Sequence, residues 1–279
     1  MKIGEAIKLA KQKVGTKPDG DLAIDVLLSF CLKMSREELF LAMGSELPVD
    51  IEKKFTSLLG RFEEGEPVAY LINNKQFYGI DLFVDERVLT PRPETEILVD
   101  KVLEYAKGRG ELKVLDIGTG SGNIAIAVAL NNSALDVSAC DVSESALQVA
   151  RINLERYNLQ ERVNLFNSDL LSGVTDRFDV IVANLPYIGT ERFNFVSKET
   201  YDFEPHVALF GGQNGLQLYD KLFSQIAERD WRPSLLLGEF GFLQTEEMEL
   251  LLDKYFKLER RFIVKDYASI DRVFMVNFA

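Results

Sequence analysis

From Glu111 onwards, short apolar runs alternate with stretches of helical period, and this alternation constrains the fold more than any other feature. Such a chain forms a mostly parallel sheet whose strands are joined by crossover helices. The pattern predicts strands at 113–117, 136–141, 163–167, 179–183, 234–239, 258–265 and 272–277. It predicts helices at 96–105, 123–130, 143–157, 216–229 and 244–255, with the last two strands an antiparallel pair.

The first of these strands runs into Gly118-Thr119-Gly120-Ser121-Gly122 and then a helix. Glycines there let the backbone turn sharply and approach a ligand with no Cβ in the way. Asp116 closes the strand, and Asp141 closes the next one, where a carboxylate suits a ribose diol. A dinucleotide site uses the same logic, but its third glycine falls where this chain has Asn123. With Asp116 the loop favours S-adenosylmethionine over NAD. Asp169, after the third strand, is a candidate for the adenine end of such a cofactor.

The fourth strand stops at Asn184-Leu185-Pro186-Tyr187. Ligands bind open α/β sheets at this carboxyl edge. A planar amide or aniline-type nitrogen is a poor nucleophile because its lone pair is delocalised. Two acceptors, the Asn184 side-chain oxygen and the Leu185 carbonyl, could hold its two N–H groups and orient it. Pro186 keeps Leu185 extended, and Tyr187 offers a ring face to a planar group.

Upstream, residues 3–72 read as helices. Ile3, Ile7, Leu9 and Ala10 form a first stripe broken at Pro18-Asp19-Gly20; Leu22, Ile24, Val26, Leu27, Leu28 and Leu32 form a second. Ser35 to Glu38 resembles a capping box opening a short helix, and Ile51, Phe55, Leu58, Leu59 and Phe62 share one face of another. Residues 75–90 change to a strand-like period and read as a linking β-hairpin. The organisation expected is therefore a helical domain at 1–74, a hairpin at 75–90 and an α/β domain at 91–279.

The formal net charge of -12 opposes nucleic-acid backbones and anionic membranes, so neither is expected as a partner. Lys2, Glu5 and Lys8 interrupt any secretory signal and no apolar run reaches membrane length, so a cytoplasmic location is expected. A single histidine, His206, excludes a histidine-based triad and a multi-histidine metal site, and no metal is expected. Cys31 and Cys140 lack any paired spacing and read as small buried hydrophobes. No exposed seam suggests an oligomer, so a monomer is expected.

At Asn184–Tyr187 the sequence resembles the Asn-Pro-Pro-Tyr amino-methyltransferases, and among them the release factor glutamine N5-methyltransferases. The resemblance is carried further by Glu66-Pro-Val-Ala-Tyr70, Phe77-Tyr-Gly-Ile80, Pro91-Arg92-Pro93-Glu94-Thr95-Glu96 and Phe203-Glu204-Pro205-His-Val-Ala-Leu-Phe-Gly-Gly212. It implies a Rossmann-like, seven-stranded S-adenosylmethionine-dependent domain with a small helical domain in front. It implies methylation of the glutamine in the Gly-Gly-Gln loop of class I peptide chain release factors, with S-adenosylhomocysteine as product. Cofactor contacts would come from 118–122, Asp141 and the Asp169–Leu170 turn, and the substrate amide would meet 184–187. Arg92, Pro93, Glu94, Glu204 and Pro205 would line the substrate side, and the helical domain would help hold the release factor.

The chain departs from that pattern at Leu185, where the family usually has proline, and at Asn73-Asn74. Asn-Leu-Pro-Tyr is also similar to the motif of rRNA adenine N6-dimethyltransferases, so an RNA substrate is the competing expectation. A binding module that holds the cofactor without methyl transfer is a third. Gly211-Gly-Gln213 repeats the substrate tripeptide and reads as a tight turn.

Overall fold

A computed structural model describes residues 1–17 and 19–278. The chain divides into two compact units, 1–74 with 197–203, and 75–196 with 204–279.

In the first unit, helices Ile3–Val14, Gly20–Leu32 and Val49–Glu64 enclose a core built from Ile3, Ile7, Ile24, Leu27, Leu28, Phe55, Leu58 and Leu59. Apolar residues recurring every three or four positions put one stripe of each helix inside. Leu9 and Leu22 are corrections to the expected stripes, being 51% and 46% exposed. Leu9 lies two residues from Ile7, about 200° around the helix, so Ala6, Ala10 and Val14 complete the buried face instead. Val26 and Leu32 are only half-buried. Helix Arg36–Leu41 opens on a true capping box, in which Ser35 Oγ accepts from Glu38 N at 3.2 Å and Glu38 Oε2 accepts from Ser35 N at 2.8 Å. The expected break at 18–20 begins at Pro18, outside the described residues; Asp19 follows with φ +57° and precedes the second helix.

The second unit opens with a hairpin shorter than expected. Strands β1 (Lys75–Phe77) and β2 (Ile80–Leu82) are joined by Tyr78 and Gly79, both at positive φ as a two-residue type I′ turn requires. Residues 83–90 leave the strand conformation, because Phe83 spends its N–H and C=O on the Asn153 side chain instead of a ladder. Tyr78 anchors the turn to helix Glu96–Ala106, donating from its hydroxyl to Asp100 and from its N–H to Glu96.

The strands of the main sheet are β3 (Leu112–Ile117), β4 (Leu135–Asp141), β5 (Val163–Asn167), β6 (Val180–Ala183), β7 (Leu235–Glu239), β8 (Arg260–Lys265) and β9 (Asp271–Asn277). Their order is β5-β4-β3-β6-β7-β9-β8. All pairings are parallel except β7–β9 and β8–β9, so this is a Rossmann-like seven-stranded sheet with an antiparallel edge. Strand β6 is buried along its whole length and β3 along its last four residues, as expected of strands covered by helices on both faces. Connections leave β3 towards β4 on one side, while β6 pairs on the other, which makes the β3/β6 carboxyl edge the switch point. The landmark stretches after Ile117 and Ala183 thus emerge side by side. The short helices Lys198–Phe203 and His206–Leu209 have no counterpart in the periodicity, being too brief to show one.

Candidate active site

Beyond Ile117 the backbone turns at once. Gly118 N and Thr119 N both donate to the Cys140 carbonyl, at 2.9 and 3.0 Å, and Gly122 N closes the turn onto Thr119 O. Gly118, Gly120 and Gly122 have φ of +73°, +56° and +82°, in the left-handed region that glycine enters without strain. A Cβ at Gly118 would lie 3.2 Å from Leu185 Cδ2, whereas one at Gly120 would meet nothing within 4 Å.

Two carboxylates hold this loop. Asp141 Oδ2 accepts from Gly120 N and its Oδ1 from Ser143 N, each at 2.9 Å, leaving further lone pairs on both oxygens. Burial raises its pKa against the pull of those N–H groups. Asp116 is buried, and its Oδ2 accepts from Thr119 Oγ1 at 2.7 Å and Ala125 N at 3.2 Å. Its Oδ1 has no partner among the described residues, and burial, with a smaller push from Asp141, raises the carboxyl to about 7. A buried carboxylate oxygen without a donor suits a cationic ligand group. Together with the open glycine cradle, it fits the ammonium-bearing end of S-adenosylmethionine.

A cavity of about 270 Å³ lies in front of the loop. Gly118 to Ser121, Asp141, Asp169, Leu170, Asn184, Leu185, Pro186 and Arg92 line it. Leu170 has φ +54°, its carbonyl is held by Ser168 Oγ, and its N–H has no partner among the described residues. Asp169 is half-exposed and ion-paired with Lys221.

On the other side, Asn184 is fixed from behind. Its Nδ2 donates to Thr95 Oγ1 at 3.0 Å and to Glu239 Oε2 at 3.3 Å. Thr95 Oγ1 itself donates to Glu239 Oε2 at 2.7 Å, and Tyr187 Oη donates to Glu239 Oε1 at 2.9 Å. Leu185 N donates to the Tyr219 hydroxyl, which shares its own proton between the carbonyls of Ala183 and Glu239. The Asn184 Oδ1 and the Leu185 carbonyl accept no hydrogen bond among the described residues. Burial raises the Glu239 carboxyl, while Thr95, Tyr187 and Arg272 oppose the shift.

Of the other expected site residues, Asp116 and Gly122 support the loop without lining the cavity, and Tyr187 packs beside Gly241 away from it. Pro93, Glu94, Glu204 and Pro205 are likewise outside its lining. Glu204 is buried and accepts from Arg92 Nη2 at 2.6 Å, so it acts on the cavity through Arg92. Thr95, Tyr219 and Glu239 complete the site; only Tyr219 lies outside the stretches that the sequence singles out, since Thr95 sits in Pro91–Glu96 and Glu239 opens a strand-end stretch able to shape a pocket. The signal for Glu239 was a carboxylate closing the apolar run of β7, beside β6 in the sheet.

Comparison with known proteins settles the family. Residues 93–198 match the model described as "Methyltransferase small domain", and residues 5–72 match the "PrmC N-terminal domain". The release factor glutamine methyltransferase of Bacillus cereus is 34% identical over 279 residues, covering 98% of each chain. The chain belongs to the release factor glutamine methyltransferase family. The member from Koribacter versatilis is 36% identical over 258 residues, covering 92% of this chain and 90% of its own. Among solved structures, a methyltransferase from Pyrococcus furiosus shares the fold with a TM-score of 0.54 at 20% identity, covering 80% of this chain and 98% of its own. No described helix is long and apolar enough to cross a membrane.

Proposed function

We propose that this chain transfers a methyl group from S-adenosylmethionine to the side-chain amide nitrogen of the glutamine in the Gly-Gly-Gln motif of class I release factors, and so modulates translation termination. The observation that carries the reading is the pair of open acceptors, Asn184 Oδ1 and the Leu185 carbonyl, beside the glycine cradle. S-adenosylmethionine, when bound, supplies an electrophilic sulfonium methyl. Gly118 to Gly122, backed by the buried Asp116, would give it backbone access, Asp141 would hold its ribose hydroxyls, and the Asp169–Leu170 turn its adenine.

The chain's own contribution is to the nitrogen. The two acceptors each take one N–H of the primary amide, which sets the nitrogen's direction and its distance from the cofactor side of the cavity. As the nitrogen gains positive charge its hydrogens become better donors, so both bonds strengthen in the transition state. Pro186 holds Leu185 extended, and Leu185 N on Tyr219 fixes the peptide plane whose carbonyl does the accepting. The helical unit helps hold the release factor, the protein acts as a monomer in the cytoplasm, and nucleic acid is not its substrate.

The test uses radiolabelled S-adenosylmethionine with a release factor and ribosomal RNA as parallel acceptors. Label on the release factor, lost when its Gly-Gly-Gln glutamine is replaced, is expected. Label on RNA alone would replace this reading with an adenine one. Asn184→Ala should abolish transfer while S-adenosylhomocysteine still binds; unchanged turnover would remove the clamp.

A further inference from the structure

We propose that Glu239 is a positioning residue that decides which way round the Asn184 amide lies. The proposal rests on the clamp reading above and adds the group that orients the clamp. An asparagine side chain has nearly the same shape after a half-turn, so shape alone cannot distinguish its oxygen from its nitrogen. What distinguishes them is hydrogen bonding, and here both neighbours are acceptors. Glu239 Oε2 can only accept while ionised. Thr95 Oγ1 spends its single proton on that same carboxylate oxygen, which leaves it only lone pairs for Asn184. A flipped amide would set its oxygen against two acceptors and present an NH2 to an incoming substrate NH2.

Glu239 is itself held in place. Tyr187 donates to its other oxygen, its own carbonyl takes the Tyr219 hydroxyl, and strand β7 is locked between β6 and β9. Arg272 is the cation that favours its ionised form, and Glu94 is the anion that opposes it. A carboxylate buried to 1% exposure at the end of an apolar strand is costly, and it is occupied by three donors, two from the Asn184–Tyr187 stretch and the third from Thr95.

The test is a polarity swap. Glu239→Gln replaces an acceptor by a group that also donates, so the Asn184 amide loses its directional bias. Asn184→Asp puts an acceptor against the Glu239 carboxylate. Combined, Asn184→Asp with Glu239→Gln restores one donor and one acceptor across the contact and leaves a carboxylate oxygen facing the cavity. With a release factor as acceptor, Glu239→Gln should lower kcat about 100-fold and Asn184→Asp at least as much, by the size of effect seen when one preorganised polar group is lost. The double variant should recover about tenfold over Asn184→Asp, with S-adenosylhomocysteine affinity by calorimetry unchanged throughout. Near-normal turnover in Glu239→Gln, or a double variant no better than Asn184→Asp, would overturn the proposal. If wild type fails to methylate the release factor, the clamp reading fails, but the positioning role is still measurable. The Asn184 side-chain NH2 resonance, assigned by its loss in Asn184→Asp, should lie downfield in wild type and move in Glu239→Gln. No movement would count against Glu239 whatever the substrate.

Discussion

The hydroxyl of Tyr187 donates to Glu239 Oε1 across neighbouring strand ends. Burial, then the adjacent carboxylate, raises the tyrosine pKa well above its ordinary value, so the hydroxyl remains a donor throughout the physiological range. Tyr187→Phe keeps the ring and deletes that donor. Turnover should fall roughly threefold to tenfold, the worth of one net hydrogen bond, with cofactor affinity unchanged. Losing a donor disfavours the ionised carboxylate, so Glu239 titrates at higher pH and the acid limb of kcat should move upward. A pH–rate profile checks both.

Asp116 is raised to about 7 by burial, so the folded protein holds a proton there that the unfolded chain releases. Unfolding then frees a proton between about pH 4 and 7, and stability declines as pH rises through that window. Asp116→Asn cannot titrate. Wild type should therefore lose more of its denaturant midpoint than Asp116→Asn between pH 5 and 7.5, while Asp116→Asn binds S-adenosylhomocysteine more weakly. Parallel urea titrations at the two pH values decide it.

The glycines of the loop differ in what surrounds them. Gly118→Ala meets both positive φ and the Leu185 side chain at 3.2 Å, whereas Gly120→Ala meets only positive φ. Gly120→Ala should cost about 1–2 kcal/mol of stability, the left-handed penalty alone, and Gly118→Ala more. Gly118→Ala should also displace Leu185 and lower kcat for the acceptor. Thermal denaturation and acceptor kinetics, measured together, separate the two.

Arg92 pairs with Glu204, whose side chain is 3% exposed against 37% for the arginine. Burial raises the Glu204 pKa and Arg92 opposes that, so removing Arg92 raises it further. Arg92→Gln should cost roughly 2 kcal/mol near neutral pH, below the 3–5 kcal/mol of a fully buried broken pair because Arg92 is partly solvated. The arginine's contribution exists only while Glu204 is ionised and is lost as pH falls through the folded pKa. The difference from wild type should therefore shrink on acidification, as chemical denaturation across pH 4.5–7.5 would reveal.

Much of the sheet was legible because its central strands are largely apolar runs with sharp ends: Gly118 after β3, Asp141 closing β4, Asn184 after β6. Burial on both faces makes such runs plain in one dimension. The glycine loop and Asn184 were legible because their chemistry is local. The meeting of Thr95 with Glu239 was not, since they lie 144 residues apart and come together only through the sheet. The failed placements at Leu9 and Leu22 have a simpler cause: an apolar residue at a helix surface counts towards a stripe without lying on it. The 83–90 segment misled for another reason, because Phe83 and Val84 have strand character but Asn153 takes the backbone groups that a partner strand would need.

Strand β9 lies between β7 and β8, with Val273 opposite Glu239. A nascent chain that has emerged only through β8 already carries every residue of the candidate site, yet the strand bearing Glu239 still has an open edge. Until β9 threads into that gap, β7 has unpaired backbone groups and β8 has no neighbour at all. The ordering of the Asn184 amide is therefore a late event in biogenesis, and unfinished copies of this chain should be inert towards their acceptor.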